Sequence, residues 1–135
     1  MEGSDQSLLR ILHYPPVEDA EPGAIRAAAH EDINLITLLL SGSKPGLQAR
    51  DSDGAWHDIA CDPGMITINN GDMLALATGN HFPSTTHRVT NPDAGQNVSR
   101  YSMPMFLHPR PDAPLTADVT ADQYLQKRLK EIGLK

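Results

Sequence analysis

Short apolar runs, each ended by glycine, proline or an Asp/Asn turn, recur along most of this 135-residue chain. Runs of this length, separated by turn residues, are typical of an all-β barrel or sandwich. The Asp53-Gly54 pair favours a tight hairpin turn between two of the runs. The pattern predicts strands over residues 8–14, 25–33, 35–40, 46–50, 55–59, 65–68, 73–77, 87–90 and 99–107.

The C-terminal end of the chain follows a helical pattern instead. Thr120, with Gln123 three residues later, forms a capping box, and Gly133 stands where a helix C-terminal cap belongs. One face of the intervening segment is apolar, made of Tyr124, Leu125, Leu129 and Ile132. We predict an amphipathic helix over residues 121–132, docked on the outside of the β structure.

The composition, with 39% hydrophobic and 21% charged residues, is that of an ordinary globular domain. A net charge of −6, with basic residues scattered except at the C-terminal end, disfavours nucleic acid as a partner. No apolar run reaches the roughly 18 residues of a transmembrane helix, and the polar N-terminus differs from a secretory signal. Because Cys61 is the only cysteine, no intrachain disulfide can form. We expect a cytoplasmic protein without a membrane partner; no feature indicates an oligomeric state.

Two histidines and one aspartate have the pattern of a metal site. Residues two apart on a strand project to the same side, so His30 and Asp32 point together, and His87 arrives from a later strand. Such a triad on one triangular face leaves up to three positions of an octahedral ion open, which suits iron(II) with a cosubstrate and dioxygen. Zinc more often takes a closed tetrahedron or three histidines. Taken alone, the His-x-Asp pair also fits a polar pair on a surface strand, and the other four histidines are interpreted as surface or hydrogen-bonded residues.

Arg100 and Ser102 share one face of a later predicted strand. A guanidinium group donates two parallel hydrogen bonds to a carboxylate, and a serine hydroxyl adds a third donor beside it. The pair therefore indicates a site for a carboxylate whose other end chelates a metal. The alternative is an ordinary structural ion pair of Arg100, for example with Asp93 or Asp112.

Seven segments, in the same order along the chain, resemble one known family, the isopenicillin N synthase-like branch of the 2-oxoglutarate- and iron(II)-dependent oxygenases. They lie between residue 8 and about residue 110. The matching segments are Leu12-His13-Tyr14-Pro15-Pro16, His30-Glu31-Asp32, Thr37-Leu38-Leu39-Leu40, Gly46-Leu47-Gln48, Asn70-Gly71-Asp72-Met73, Ser84-Thr85-Thr86-His87-Arg88-Val89 and Arg100-Tyr101-Ser102.

This resemblance implies a double-stranded β-helix, or jelly-roll, with iron at its open mouth. By matching motif, the iron ligands are His30, Asp32 and His87. The oxygenase domain is then expected over residues 1–115, with residues 116–135 forming a C-terminal helix packed on it.

The resemblance also implies a binding site for 2-oxoglutarate. Arg100 and Ser102 would hold its distal carboxylate, and Tyr14 matches a tyrosine that reaches the same region. Phe106 lies on the same strand face as Arg100, at a position that walls the substrate pocket in relatives. A plain core aromatic is the alternative for Phe106.

The implied reaction is oxidation of a small organic molecule by hydroxylation, desaturation or ring closure, using dioxygen, with succinate and carbon dioxide as coproducts. Two alternatives stay open. One is a 2-oxoglutarate-independent oxidase of the isopenicillin N synthase kind, in which the Arg-x-Ser pair grips the substrate's own carboxylate. The other is a truncated, non-catalytic binding barrel.

The chain departs from the family pattern at two points. Plant members carry asparagine where this chain has Leu12, and the family has a long, largely helical region before the jelly-roll. Here the first predicted strand follows Met1 within a few residues, so we expect a catalytic core without that region. An exposed apolar patch is the expected physical consequence.

Overall fold

The structure, a computed structural model, describes residues 3–17, 23–40, 42–93 and 97–134. These ranges contain ten strands and two helices. They are β1 (Leu8–Leu9), β2 (Leu12–Tyr14), β3 (Ala27–His30), β4 (Ile36–Leu40), β5 (Leu47–Arg50), β6 (Trp56–Asp58), β7 (Ile66–Asn70), α1 (Asp72–Ala77), β8 (His87–Val89), β9 (Arg100–Ser102), β10 (Pro104–Leu107) and α2 (Ala121–Glu131).

Two four-stranded antiparallel sheets face each other across a pocket. The major sheet has the order β1-β10-β4-β7, the minor sheet the order β3-β8-β5-β6, and the pair β2-β9 stands beside them. Side chains from both sheets and from the pair line the pocket between them. This is the jelly-roll that the sequence predicted.

The predicted strands 8–14 and 99–107 are each divided in two. β1 pairs with β10 and β2 with β9 in one continuous register, from Leu8 opposite Phe106 to Tyr14 opposite Arg100. Between the two parts, the backbone N–H of Arg10 still donates to a carbonyl of the facing strand, 3.0 Å away. The division is therefore a local interruption of one ladder.

The predicted strand 73–77 is wrong, because the segment forms the helix α1, Asp72–Ala77. Methionine, leucine and alanine alternate there without a β-branched residue, and such a segment favours a helix when the preceding chain permits one. Gly71 allows the chain to pass close to Asn34 just before the helix, because a Cβ at this position would lie 2.2 Å from the carbonyl oxygen of Asn34. The N–H of Asp72 then donates to the carbonyl of Asp32 over 2.8 Å.

The predicted C-terminal helix is confirmed as α2, with the capping box between Thr120 and Gln123 and a positive φ of 75° at Gly133. Its first residue, Ala121, is fully buried with Met73 of α1 and with Leu115. Partly buried apolar side chains surround this cluster, namely Ile33, Leu35, Leu76, Tyr124 and Leu125. α2 thus packs on α1 and on the segment that precedes β4. Neither helix of the described ranges has the length and apolar character needed to cross a membrane.

Candidate active site

The three predicted metal ligands meet at one end of the pocket. The pairing of β3 with β8 shifts register between Ala27 and His30, and this shift sets His30 opposite His87. Oδ1 of Asp32 lies 4.0 Å from Nε2 of His30 and 3.8 Å from Nε2 of His87. One ligand atom from each residue lies within 4.8 Å of the others. The predicted strand 25–33 ends early, at His30, so Asp32 reaches the site from the segment after the strand.

Backbone hydrogen bonds orient both imidazoles. Nδ1 of His30 lies 2.8 Å from the carbonyl oxygen of Ala28, and Nδ1 of His87 lies 2.9 Å from that of Thr85. A carbonyl oxygen only accepts, so each Nδ1 is the donor and each Nε2 of the neutral ring carries a lone pair. In this tautomer, two nitrogen lone pairs and a carboxylate oxygen face one another. A divalent cation satisfies all three, and the donor set fits iron(II).

The second oxygen of the Asp32 carboxylate is already held by protein donors. Oδ2 accepts from Oγ1 of Thr37 at 2.6 Å and from Nδ2 of Asn69 at 3.0 Å. Neither residue belongs to the site residues that the sequence predicts. A hydroxyl within the apolar run 35–40 was the available signal for Thr37, whereas Asn69 lies just beyond the predicted strand 65–68 and belongs to β7 in the structure.

Arg100 is a buried cation with a free N–H group. Its side chain is 2% exposed, its Nε donates to the carbonyl of Lys44 over 3.1 Å, and its Nη1 has no hydrogen-bond partner. Its guanidinium carbon lies 5.4 Å from the ring centre of Tyr14. Burial lowers the pKa of Arg100 from its ordinary value. Among the described residues it forms no ion pair, and Asp112 pairs with Arg110 instead, so the guanidinium is available to an anion.

One pocket connects these two groups. Its volume is about 160 Å³, and both the metal triad and Arg100 line it. Tyr14, Ser102 and Phe106 line the same pocket, which brings every predicted site residue together. The space suits a ligand that presents a carboxylate to Arg100 and a chelating group to the triad. The separate roles of these residues stay predictions.

The other four histidines lie outside this site, and His81 is exposed. His13 is within 3.1 Å of the hydroxyl of Ser99, and His57 is within 2.5 Å of the carboxylate of Asp51. The hydrogen bond with His57 is the main cause of the lowered pKa of Asp51. His108 is 9% exposed, and burial lowers its pKa. The interpretation as surface or hydrogen-bonded residues is thus confirmed for His13 and His57, whereas His108 is buried.

A jelly-roll with two histidines and an aspartate at a pocket shared with a buried arginine has the donor set of a non-haem iron oxygenase. The profile of the 2OG-Fe(II) oxygenase superfamily matches residues 5–109, and the chain belongs to this superfamily. Iron(II) and 2-oxoglutarate give this superfamily its name, and the donor set of His30, Asp32 and His87 fits the iron.

Relatives of known structure share the fold. A Shewanella oneidensis protein assigned as an oxygenase is 54% identical, with a TM-score of 0.86, over 99% of this chain and 50% of that one. A full-length Neurospora crassa protein, solved in complex with alpha-KG, is 31% identical, with a TM-score of 0.82, over 93% of this chain and 44% of that one. A curated 2-oxoglutarate-dependent dioxygenase of Didymella fabae is 33% identical over 93% of this chain and 35% of its own length. This chain therefore spans about a third of that curated relative.

Proposed function

We propose that the protein oxidises a small organic molecule at an iron(II) centre while it converts 2-oxoglutarate and dioxygen into succinate and carbon dioxide. One observation carries the proposal. A single pocket contains three ligand atoms that converge within 4.8 Å of one another and a buried guanidinium N–H without a partner. An iron(II) ion would bind the three ligand atoms, and the distal carboxylate of a 2-oxo acid chelated by that iron would accept from the guanidinium.

The proposed roles follow from these contacts. His30, Asp32 and His87 hold the iron, which supplies the activation of dioxygen and the oxidation of the substrate. Arg100 donates to the distal carboxylate of 2-oxoglutarate, with Ser102 beside it. Apolar side chains of both sheets line the pocket between the two groups and exclude water from it, including Leu39, Leu47 and Val89.

We propose a small organic substrate that Phe106 helps to position, since this side chain lines the pocket. The same Neurospora crassa protein has been solved with thymine and with 5-formyluracil, at 30% and 31% identity to this chain. Pyrimidine bases are therefore the first compounds to assay. The net charge of −6 argues against a nucleic-acid polymer as substrate, and the single cysteine fits a cytoplasmic location.

We further propose the division into an oxygenase domain over residues 1–115 and an appended helical segment over residues 116–135. The superfamily profile matches residues 5–109, which supports the first boundary. The packing of Ala121 against Met73 supports a helix that docks on the domain.

Anaerobic titration of the protein with iron(II) and 2-oxoglutarate tests the proposal. We expect one equivalent of iron, the visible absorbance band of an iron–2-oxoglutarate chelate, and succinate once air and a substrate are admitted. His87→Ala should abolish the band and lower succinate formation at least about 100-fold, because it removes a ligand. His57→Ala is the matched control, since His57 pairs with Asp51 outside the pocket.

The possible negative results of this titration point to different alternatives. Iron uptake without the chelate band would favour the 2-oxoglutarate-independent oxidase. No stoichiometric iron uptake would favour a non-catalytic binding module, and unchanged succinate output in His87→Ala would contradict the assignment of the third ligand.

A further inference from the structure

We propose that Thr37 and Asn69 are positioning residues, which hold Asp32 so that only one carboxylate oxygen faces the metal. The inference rests on the iron site proposed above and concerns two residues that do not touch the metal themselves. Both bind Oδ2 of Asp32, while Oδ1 faces the two Nε2 atoms.

The direction of the Thr37 hydrogen bond is set by its neighbour Asn34. One amide atom of Asn34 lies 2.9 Å from the carbonyl oxygen of Ile36, so this atom is the donor Nδ2. The same Nδ2 lies 3.0 Å from Oγ1 of Thr37, so the threonine oxygen accepts there. The hydroxyl proton is then free for Oδ2 of Asp32, at 2.6 Å, rather than for Oδ1 of Asn34, at 3.4 Å.

The strand register places the two donors together. Thr37 of β4 is directly opposite Asn69 of β7 in the major sheet, and His30 is directly opposite His87 in the minor sheet. Two cross-strand pairs, one from each sheet, thus approach the same carboxylate from opposite sides. Asp32 is the residue through which the metal site is attached to the major sheet.

Because Asp32 and its neighbours are buried, water cannot readily replace a hydrogen-bond donor that is removed. The exposed fractions are 7% for Asp32, 3% for Thr37 and 1% for Asn34, so water has little access to Oδ2 if a donor is removed. A carboxylate free of both donors would rotate away from the orientation that directs Oδ1 at the two Nε2 atoms, so a metal ion would be bound more weakly. With both donors present, Oδ1 stays directed at the place where the three ligand atoms converge.

Metal-binding affinity separates this role from general stability. We would titrate the metal-free chain anaerobically with iron(II), and with cobalt(II) as a redox-inert probe, by calorimetry. Thr37→Val should bind both metals about 10- to 100-fold more weakly, whereas Thr37→Ser, which keeps the hydroxyl, should recover most of the affinity. Asn69→Ala should behave like Thr37→Val, and Asn70→Ala is its matched control on the other face of β7.

Two further readouts distinguish positioning from folding. The melting temperature of the metal-free Thr37→Ser and Asn69→Ala chains should change little, and 2-oxoglutarate affinity at saturating metal should change less than about threefold. Unchanged metal affinity in both Thr37→Val and Asn69→Ala would overturn the inference while leaving the iron site intact. Equal losses in Thr37→Val and Thr37→Ser would also overturn it. Absence of metal uptake by the unsubstituted chain would overturn the iron site itself and the inference with it.

Discussion

Two buried charges of opposite sign, Asp32 and Arg100, are satisfied to different degrees. Both oxygens of Asp32 face donors or candidate metal ligands, whereas Arg100 has one carbonyl partner for a guanidinium group that is 2% exposed. A buried charge without enough partners destabilises the folded state unless a ligand supplies them. The fold therefore carries an unfavourable electrostatic feature at the place where we propose that an anion binds.

Replacement of Arg100 by an apolar side chain should weaken the binding of 2-oxoglutarate without lowering the stability of the ligand-free chain. We expect Arg100→Met to weaken 2-oxoglutarate binding at least about tenfold, because it removes charge-assisted hydrogen bonds. The free energy of unfolding of the ligand-free chain should stay unchanged or rise by up to about 1 kcal/mol, since an incompletely paired buried cation is lost. Calorimetry and urea denaturation measure the two quantities.

Arg110→Met is the control, because Arg110 is exposed and pairs with Asp112 on the surface. Arg110→Met should change neither the affinity for 2-oxoglutarate nor the free energy of unfolding. A strong loss of stability in Arg100→Met, without a change in 2-oxoglutarate affinity, would identify Arg100 as a structural residue only.

At the scale of elements, local signals predicted most of the strands, and long-range contacts decided the exceptions. The hairpin of β5 and β6 is as predicted because the turn residues Asp51 to Gly54 determine it locally, down to the backbone bond from the Gly54 N–H to the Asp51 carbonyl. The helix α1 escaped prediction because its start depends on a contact with Asn34, far away along the chain.

Substitution of Gly71 should disturb the contact between the start of α1 and Asn34. We expect Gly71→Ala to lower the free energy of unfolding by about 3 kcal/mol, since the new Cβ would overlap the carbonyl oxygen of Asn34. Metal affinity should fall too, because α1 donates to the carbonyl of Asp32. Denaturation and metal titration measure the two effects. Gly79→Asn is the control, with a φ of 57° that asparagine tolerates and open space around it; equal stability of both variants would contradict the steric argument.

Two side chains of α2, Tyr124 and Arg128, make polar contacts with Asp72, in addition to the packing of its apolar face. The hydroxyl of Tyr124 donates to Asp72 over 3.1 Å, and burial, followed by the charge of Asp72, raises the pKa of Tyr124 to about 12. We expect Tyr124→Phe to destabilise the chain by about 1 kcal/mol, as measured by urea denaturation. Lys127→Ala, on the exposed side of α2, should change stability by less than about 0.5 kcal/mol. No difference between the two would show that the hydrogen bond of the Tyr124 hydroxyl does not stabilise the docking of α2.

At the scale of the whole molecule, the two faces of the major sheet differ in character. The inner face lines the pocket, while the outer face exposes apolar side chains, with exposed fractions of 50% for Leu40 and 56% for Ile66. Leu40 and Ile66 are cross-strand partners, and β7 is an edge strand of the sheet. Apolar side chains are thus exposed at an edge where strands of two molecules can pair.

Polar substitution of this edge should reduce self-association. We expect the double variant Leu40→Thr with Ile66→Thr to scatter less light on warming than the unsubstituted chain, since threonine keeps β propensity but lowers the apolar area. Metal affinity should stay the same because neither residue lines the pocket. Val98→Thr, an exposed apolar residue outside the sheets, is the control; an equal effect of that variant would show that the edge has no special role.

The sequence by itself determined which side chains gather at the site, from His30 to Ser102, and where the hairpin and the capped helix lie. Those features follow from residue type, spacing and ordered motifs, which act locally or are preserved together in a family. Only the tertiary structure decided that Thr37 and Asn69 would donate hydrogen bonds to Asp32, and that Arg100 would be buried with a free N–H group. These outcomes depend on strand register and on exclusion of water, and both arise only when segments distant along the chain pack together.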